Sequence, residues 1–164
     1  MNKRVFLKSA FAAVGTMGLF RALGLGNQAQ AAPETAFEVT KTDEEWRSVL
    51  MPAQYTVLRQ HGTERSHSSP LDQQHEHGSY HCAGCDLPLF SSETKFDSGT
   101  GWPSFYAPIE GAIATTTDTS LFMTRVEVHC RRCGGHLGHV FDDGPAPTGQ
   151  RYCMNGAALN FVAS

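Results

Sequence analysis

The sequence predicts a mainly β domain behind short N-terminal helices, and three observations carry that expectation. From Tyr80 onward, glycine or proline punctuates the chain about every ten residues, the rhythm of short antiparallel strands joined by tight turns. Leu121 to Val128 places strand formers in rough alternation, and Ala157 to Val162 closes the chain with another apolar run. Four of the five cysteines stand in two Cys-x-x-Cys pairs, Cys82/Cys85 and Cys130/Cys133. With 164 residues and 40% hydrophobic content, the chain can fill one core and not two.

The helices come first. Thr42-Asp43-Glu44-Glu45 reads as a capping box, with Thr42 as N-cap and Glu45 reaching back, and Trp46, Val49 and Leu50 follow on one face. Pro52 stops that helix and can open a second at its first position, carrying Tyr55 and Leu58 to the core until Gly62 ends it. Thr63 to Ser79 is polar, with Pro70, Gly78 and the histidines His67, His75 and His77. It reads as a solvated loop in preference to a histidine metal site.

Ahead of the domain lies a leader. Lys3, Arg4 and Lys8 form a basic region, Ser9 to Phe20 a short apolar one, and Ala29-Gln30-Ala31 a small-x-small cleavage site. Asn2 to Lys8 resembles a twin-arginine export signal with Lys3 in place of the first arginine, and Gly15 and Gly18 dilute the apolar run, which favours that route over the general one. A retained anchor is disfavoured because the run is too short to span a bilayer and Arg21 stands directly after it. The expected organisation is a signal peptide over 1–31, a flexible mature start over 32–41 and one domain over 42–164, exported to a bacterial periplasm. Four of the 13 basic residues lie in the leader, which leaves nine against 16 acidic ones, a formal charge of −7. That balance, with no basic run, excludes nucleic acid and anionic membrane as partners of the mature chain.

Each Cys-x-x-Cys places two thiols on one tight turn, and two such knuckles complete a tetrahedral four-thiolate zinc site. The 44 residues between Cys85 and Cys130 exceed a zinc-ribbon spacing, so the fold has to bring the second knuckle back. Disulfides are the competing reading in an exported protein. A bridge within Cys-x-x-Cys is redox-active and not structural, which favours one structural Zn2+ with no open coordination position.

Cys153 is then the odd thiol. A buried inert cysteine is the bland alternative. Arg151, two residues before, can favour the thiolate, and Asn155 offers an amide two residues after. Two further stretches carry candidate chemistry. Ser98 to Phe105 fixes Trp102 and Phe105 in a glycine- and proline-bounded turn, which by itself reads as a core aromatic cluster. His136-Leu137-Gly138-His139-Val140-Phe141 carries two imidazoles, with structural histidines as the alternative.

Taken together, Tyr80 to Phe105, Cys130 to Gly144 and Arg151 to Phe161 resemble the methionine sulfoxide reductase B family, and the similarity runs from about Thr42 to Phe161. The resemblance implies two antiparallel sheets in a zinc-bearing, β-tent-like fold, with the zinc site far from the chemistry. It implies reduction of the R epimer of methionine sulfoxide in proteins and peptides, with Cys153 as nucleophile. His139 and His136 would donate protons to the sulfoxide oxygen, Trp102 would wall the methyl group with Phe105 or Phe141, and Arg151 and Asn155 would complete the site. Many members carry a resolving cysteine where this chain has Thr100, so a sulfenic acid on Cys153 would be reduced by an external thiol such as thioredoxin. Gly156 stands where serine is common. The rival readings are a zinc-stabilised binding module, which needs neither Cys153 nor Trp102 beside histidines, and a thiol-disulfide exchanger, which a tightly held zinc would exclude.

Overall fold

The computed structural model describes residues 37–120 and 123–164, so the leader and Leu121, at the head of an expected strand, lie outside the described residues. Two short helices open the domain. Helix α1 (Asp43–Val49) starts on the expected box: Glu45 N–H donates to Thr42 Oγ1 at 3.2 Å and Thr42 N–H to Glu45 Oε2 at 2.7 Å. Trp46 and Leu50, one turn apart, are buried, whereas Val49 is 59% exposed. A helix of seven residues offers only a narrow stripe, and Val49 falls to its side.

Helix α2 (Pro52–Gln60) begins on Pro52 and buries Tyr55, Val57 and Leu58. It ends at His61, not Gly62: His61 takes the left-handed conformation (φ 54°) that was expected of the glycine. Gly62 serves close approach instead, since a Cβ there would stand 2.7 Å from Thr56 Cγ2. Of the expected flexible start, residues 37–39 lie against the body, Val39 N–H donating to Arg132 O at 3.0 Å. Among the described residues no helix is long and apolar enough to cross a membrane.

The rest is strand and turn: β1 (Gly78–Cys82), β2 (Pro88–Ser91), β3 (Lys95–Phe96), β4 (Ser104–Phe105), β5 (Ile113–Asp118), β6 (Arg125–Cys130), β7 (His136–Phe141), β8 (Arg151–Met154) and β9 (Leu159–Ala163). They form two antiparallel sheets, β2-β1-β9 and β3-β4-β8-β7-β6-β5. The expected strand over 121–128 is β6, which starts at Arg125 and runs on to Cys130.

Aromatic rings tie the sheets together. Tyr80 (β1) and Phe90 (β2) from the small sheet meet Phe105 (β4) and Tyr152 (β8) from the large one, with Phe90 stacked on Phe105 at 4.4 Å, Tyr80 edge-on to it at 4.9 Å, and Phe161 (β9) packed on Tyr80 within the small sheet. Such pairs add about 0.5–1.5 kcal/mol each beyond the area they bury. Burial also pushes the Tyr80 hydroxyl up to about 12, so it stays a neutral donor to Gln74 O.

Register decides which side chains share a face. Along β4, β8, β7 and β6, Ser104 pairs with Cys153, Cys153 with His139 and His139 with Glu127, so these four project to one side. Arg151 and Phe141 are partners on that side too. Phe105, Tyr152 and Val140 project to the other, into the core.

Candidate active site and metal centre

The two knuckles are copies of one turn. Cys82 N–H donates to Leu87 O and Asp86 N–H to Cys82 O; Cys130 N–H donates to Gly135 O and Gly134 N–H to Cys130 O. The residue after the second cysteine is left-handed in both, Asp86 at φ 60° and Gly134 at φ 67°. The fold brings the pairs together: Cys82 Sγ lies 3.7 Å from Cys133 Sγ, and Cys85 Sγ 3.5 Å from Cys130 Sγ. All four sulfurs lie within 4.8 Å of one another. A disulfide would hold two of them at about 2.05 Å. Thiolates ~2.3 Å from a tetrahedral zinc ion stand about 3.8 Å apart, close to the spacing seen, so the residues fit the ion as four ligands. Arg59 and Arg132 donate to the Cys133 and Cys85 carbonyls, which ties helix α2 and each knuckle to the same cluster.

None of these cysteines borders the second feature, a cavity of about 160 Å³ lined by Thr63, Trp102, Arg125, Gly138, His139, Phe141, Cys153 and Asn155. Cys153 reaches it from β8. Its neighbours form a run of hydroxyls: Thr100 Oγ1 stands 3.9 Å from the sulfur, Ser98 Oγ 2.8 Å from Thr100, and Ser104 Oγ 2.8 Å from Ser98. Burial pushes the Cys153 thiol up, and the pull of Thr100, the Arg151 charge and Ser104 in the opposite direction does not overcome it. The resting group is therefore the thiol, although Arg151 alone argued for the thiolate.

Trp102 spends its indole N–H on Glu64 O at 3.2 Å, which leaves the ring as an apolar wall. His139 Nε2 is 2.8 Å from Asp118 Oδ2, leaving Nδ1 for chemistry. Hydrogen bonds from Ser120, then from His139 and Arg125, hold the Asp118 carboxyl well below the ordinary range, so His139 faces a fixed negative charge. Gly138 lets β7 and β8 close up beneath the cavity, because a Cβ there would overlap the Cys153 carbonyl oxygen.

Four candidates sit differently from expectation. Phe105 is fully buried in the aromatic core on the opposite face of the sheet from Cys153, so Phe141 is the phenyl at the cavity. His136 does not line the cavity. A bulge between Val128 and His129 swings it onto Glu127, Nδ1 to Oε1 at 2.7 Å, with its ring 5.4 Å behind His139, and burial pushes its imidazole down. Asn155 borders the cavity but is committed elsewhere, its amide donating to Leu137 O and its carbonyl accepting from Glu64 N–H, both at 3.0 Å. Arg151 turns its fork onto Asp143 at 2.8 and 2.9 Å and lies 4.4 Å over the Phe141 ring, so it acts on Cys153 through its charge.

The sequence reading missed the second tier. Glu64 accepts the Gly156 and Ala157 N–H groups and anchors Trp102 through its carbonyl, within what was read as a solvated loop. Asp118 and Arg125, 2.6 Å apart, flank His139. The alternation Arg125-Val126-Glu127-Val128 was the one available signal, since it puts both charges on the Cys153 face.

One thiol outside the cluster, an imidazole and an indole around a small chamber, on a β scaffold clamped by four clustered cysteines, define a thiol-dependent oxidoreductase. Comparison with known proteins gives the family. Residues 50–163 match the SelR domain. The chain is 60% identical over 124 residues to the peptide methionine sulfoxide reductase MsrB of Methanosarcina barkeri, covering 75% of this chain and 87% of that protein. It is 58% identical over 125 residues to the MsrB of Pseudomonas putida (76% and 94%), and 52% over 128 to that of Agrobacterium fabrum (77% and 95%). The chain belongs to the methionine sulfoxide reductase B family and is an enzyme of that family.

Proposed function

We propose that this enzyme reduces the R epimer of methionine sulfoxide in proteins and peptides, using Cys153 as nucleophile. The observation that carries this reading is the chamber itself, where a thiol, the His139 imidazole and the Trp102 ring converge on a space sized for a side-chain tip. The sulfoxide joins an electrophilic sulfur and a polar oxygen to a methyl group. Trp102 and Phe141 offer the methyl group an apolar wall, and His139 offers the oxygen a proton. Contacts to methyl, oxygen and sulfur from three directions discriminate between the two configurations at sulfur.

The reaction balances without an outside proton, since one sulfoxide and one thiol give one thioether and one sulfenic acid. The Cys153 sulfur attacks the sulfoxide sulfur while its proton passes by way of His139 Nδ1 to the leaving oxygen, so that a sulfur–sulfur bond forms and the S–O bond breaks. Hydroxide then attacks the Cys153 sulfur, the S–S electron pair returns to the methionine sulfur, and the oxygen ends on Cys153 as the sulfenic acid. Thr100 stands 3.9 Å from the sulfur, in the place where many relatives keep a resolving cysteine, and a hydroxyl cannot form a disulfide. An external dithiol of the thioredoxin kind then attacks the sulfenic acid, releases water, and leaves a mixed disulfide that its second thiol resolves.

The sulfur spacing of the four-cysteine cluster supports one zinc ion as the resident metal, structural because four thiolates fill its coordination sphere. The leader over residues 1–31 supports export to the periplasm, where thiol repair would face external oxidants. The test is an assay of both epimers, on a peptide and on free methionine sulfoxide, with wild type and Cys153→Ser. The R epimer alone should turn over, and equal turnover of both would defeat the reading.

A further inference from the structure

Behind His139 lies a cluster that the reductase chemistry leaves unused. We propose that His61, Glu127 and His136 form a second metal site, for a divalent first-row cation such as Ni2+, Zn2+ or Cu2+. The three donors come from separate elements: His61 caps α2, Glu127 stands on β6, and His136 is turned toward it by the β6–β7 bulge. Glu127 Oε1 lies 2.7 Å from His136 Nδ1 and 3.0 Å from His61 Nδ1, and all three donor atoms fall within 4.8 Å of one another. Ligand atoms about 2.0–2.2 Å from one ion stand roughly 3 Å apart, so Glu127 and His136 are already near ligand spacing.

Two imidazoles and one carboxylate are a borderline donor set, suited to Ni2+, Zn2+ and Cu2+ and poorly suited to Mg2+ or Ca2+. Glu127 and His136 are largely buried, with side chains 14% and 3% exposed, and so are held in place, while His61 is 65% exposed and free to close over an arriving ion. The site opens on a cavity of about 670 Å³, also lined by Thr117, Asp118 and His139, which leaves room for water to complete the coordination shell. A cation there would replace the Glu127–His136 hydrogen bond and spread the pair toward ligand spacing directly behind His139, whose ring is 5.4 Å from that of His136. Occupancy should therefore slow turnover from a position outside the chamber.

Binding does not depend on the reductase reading; only the inhibition does, so the two are measured separately. Zinc-replete enzyme is titrated with Ni2+ by calorimetry, followed by ultraviolet absorption and by activity. One equivalent should bind without sulfur-to-nickel charge-transfer bands and without zinc release, and turnover should fall in step with occupancy. In His61→Asn, whose asparagine tolerates the left-handed cap, binding should weaken by about a hundredfold or more, beyond the 10- to 100-fold that loss of an outer-shell partner costs, with activity unchanged in the absence of metal. Glu127→Gln, checked for folding by circular dichroism, should lose the same equivalent, and Cys153→Ser should keep it. Nickel binding that survives both His61→Asn and Glu127→Gln, that disappears in Cys153→Ser, or that fails to occur in the wild type overturns the proposal. Binding as described with turnover unaffected would retain the site and remove its control of activity.

Discussion

The two cysteine environments of this protein make opposite use of the same side chain. At one end, Cys82, Cys85, Cys130 and Cys133 sit in duplicated turns that set four sulfurs within 4.8 Å of one another. At the other, Cys153 stands alone on β8, with hydroxyls, a guanidinium held off on Asp143 and an open chamber as its company. The first arrangement has no exit for a sulfur and the second has no partner for one. A thiol's function is thus set by what stands within about 4 Å of it, a closed set of sulfurs or an open chamber.

The largest effect should come from breaking the closed set. Cys130→Ser or Cys85→Ser leaves a three-thiolate site, and since a structural zinc site is worth about 10–16 kcal/mol in small peptides at neutral pH, its loss rivals the ~5–15 kcal/mol that holds a typical domain folded. Metal analysis should show zinc lost, and thermal melts should show no cooperative transition. Cys153→Ser should do the reverse, with turnover falling to background while zinc content and melting temperature stay at wild-type values. A Cys153→Ser variant that loses zinc would erase the contrast between the two ends.

Trp102→Ala sharpens the comparison at the chamber wall. It should lower kcat/KM by about ten- to a hundredfold, ~1.4–2.7 kcal/mol of transition-state free energy, with the metal untouched. Alkylation tests the resting state of Cys153. Burial raises this thiol, so the thiolate fraction and the iodoacetamide rate should be low at pH 7 and climb only above the usual thiol value of about 8.5. Arg151→Gln should move that climb to higher pH still, because it removes a charge that favours the thiolate. A midpoint below about 8 in the wild type would show that Arg151 outweighs burial. The smallest effect belongs to Asp143→Asn: the Asp143 side chain is 63% exposed, and a pair with one partner in water is worth about 1 kcal/mol or less, so stability should change by no more than that.

Much of this contrast was legible in the sequence because it rests on local spacing. Each Cys-x-x-Cys sets two thiols one turn apart, Thr42 to Glu45 satisfies a helix start by itself, and an odd cysteine stands out by count. The features that stayed hidden depend on register. Phe105 and Trp102 lie three residues apart in one motif, yet β4 pairing sends Phe105 into the core, and no local signal records which way the strand faces. His136 and His139 look equivalent until a single bulge turns one onto Glu127 and leaves the other at the chamber. Glu64 was invisible for a further reason: its partners, Gly156 and Ala157, are some ninety residues away and offer only backbone N–H groups, which no side-chain pattern announces.

The division between the two ends is tested most directly by one turnover without reductant. Enzyme is mixed with excess methionine-R-sulfoxide peptide, and three quantities are followed: methionine formed, zinc released to a chromogenic chelator, and the mass of the Cys153 peptide. The account predicts one methionine per chain, full zinc retention and a Cys153 peptide heavier by one oxygen, captured by a sulfenic-specific nucleophile. A disulfide from Cys153 to Cys82, Cys85, Cys130 or Cys133, with zinc released in the same turnover, would contradict it, because the closed set of sulfurs would then be the resolving partner.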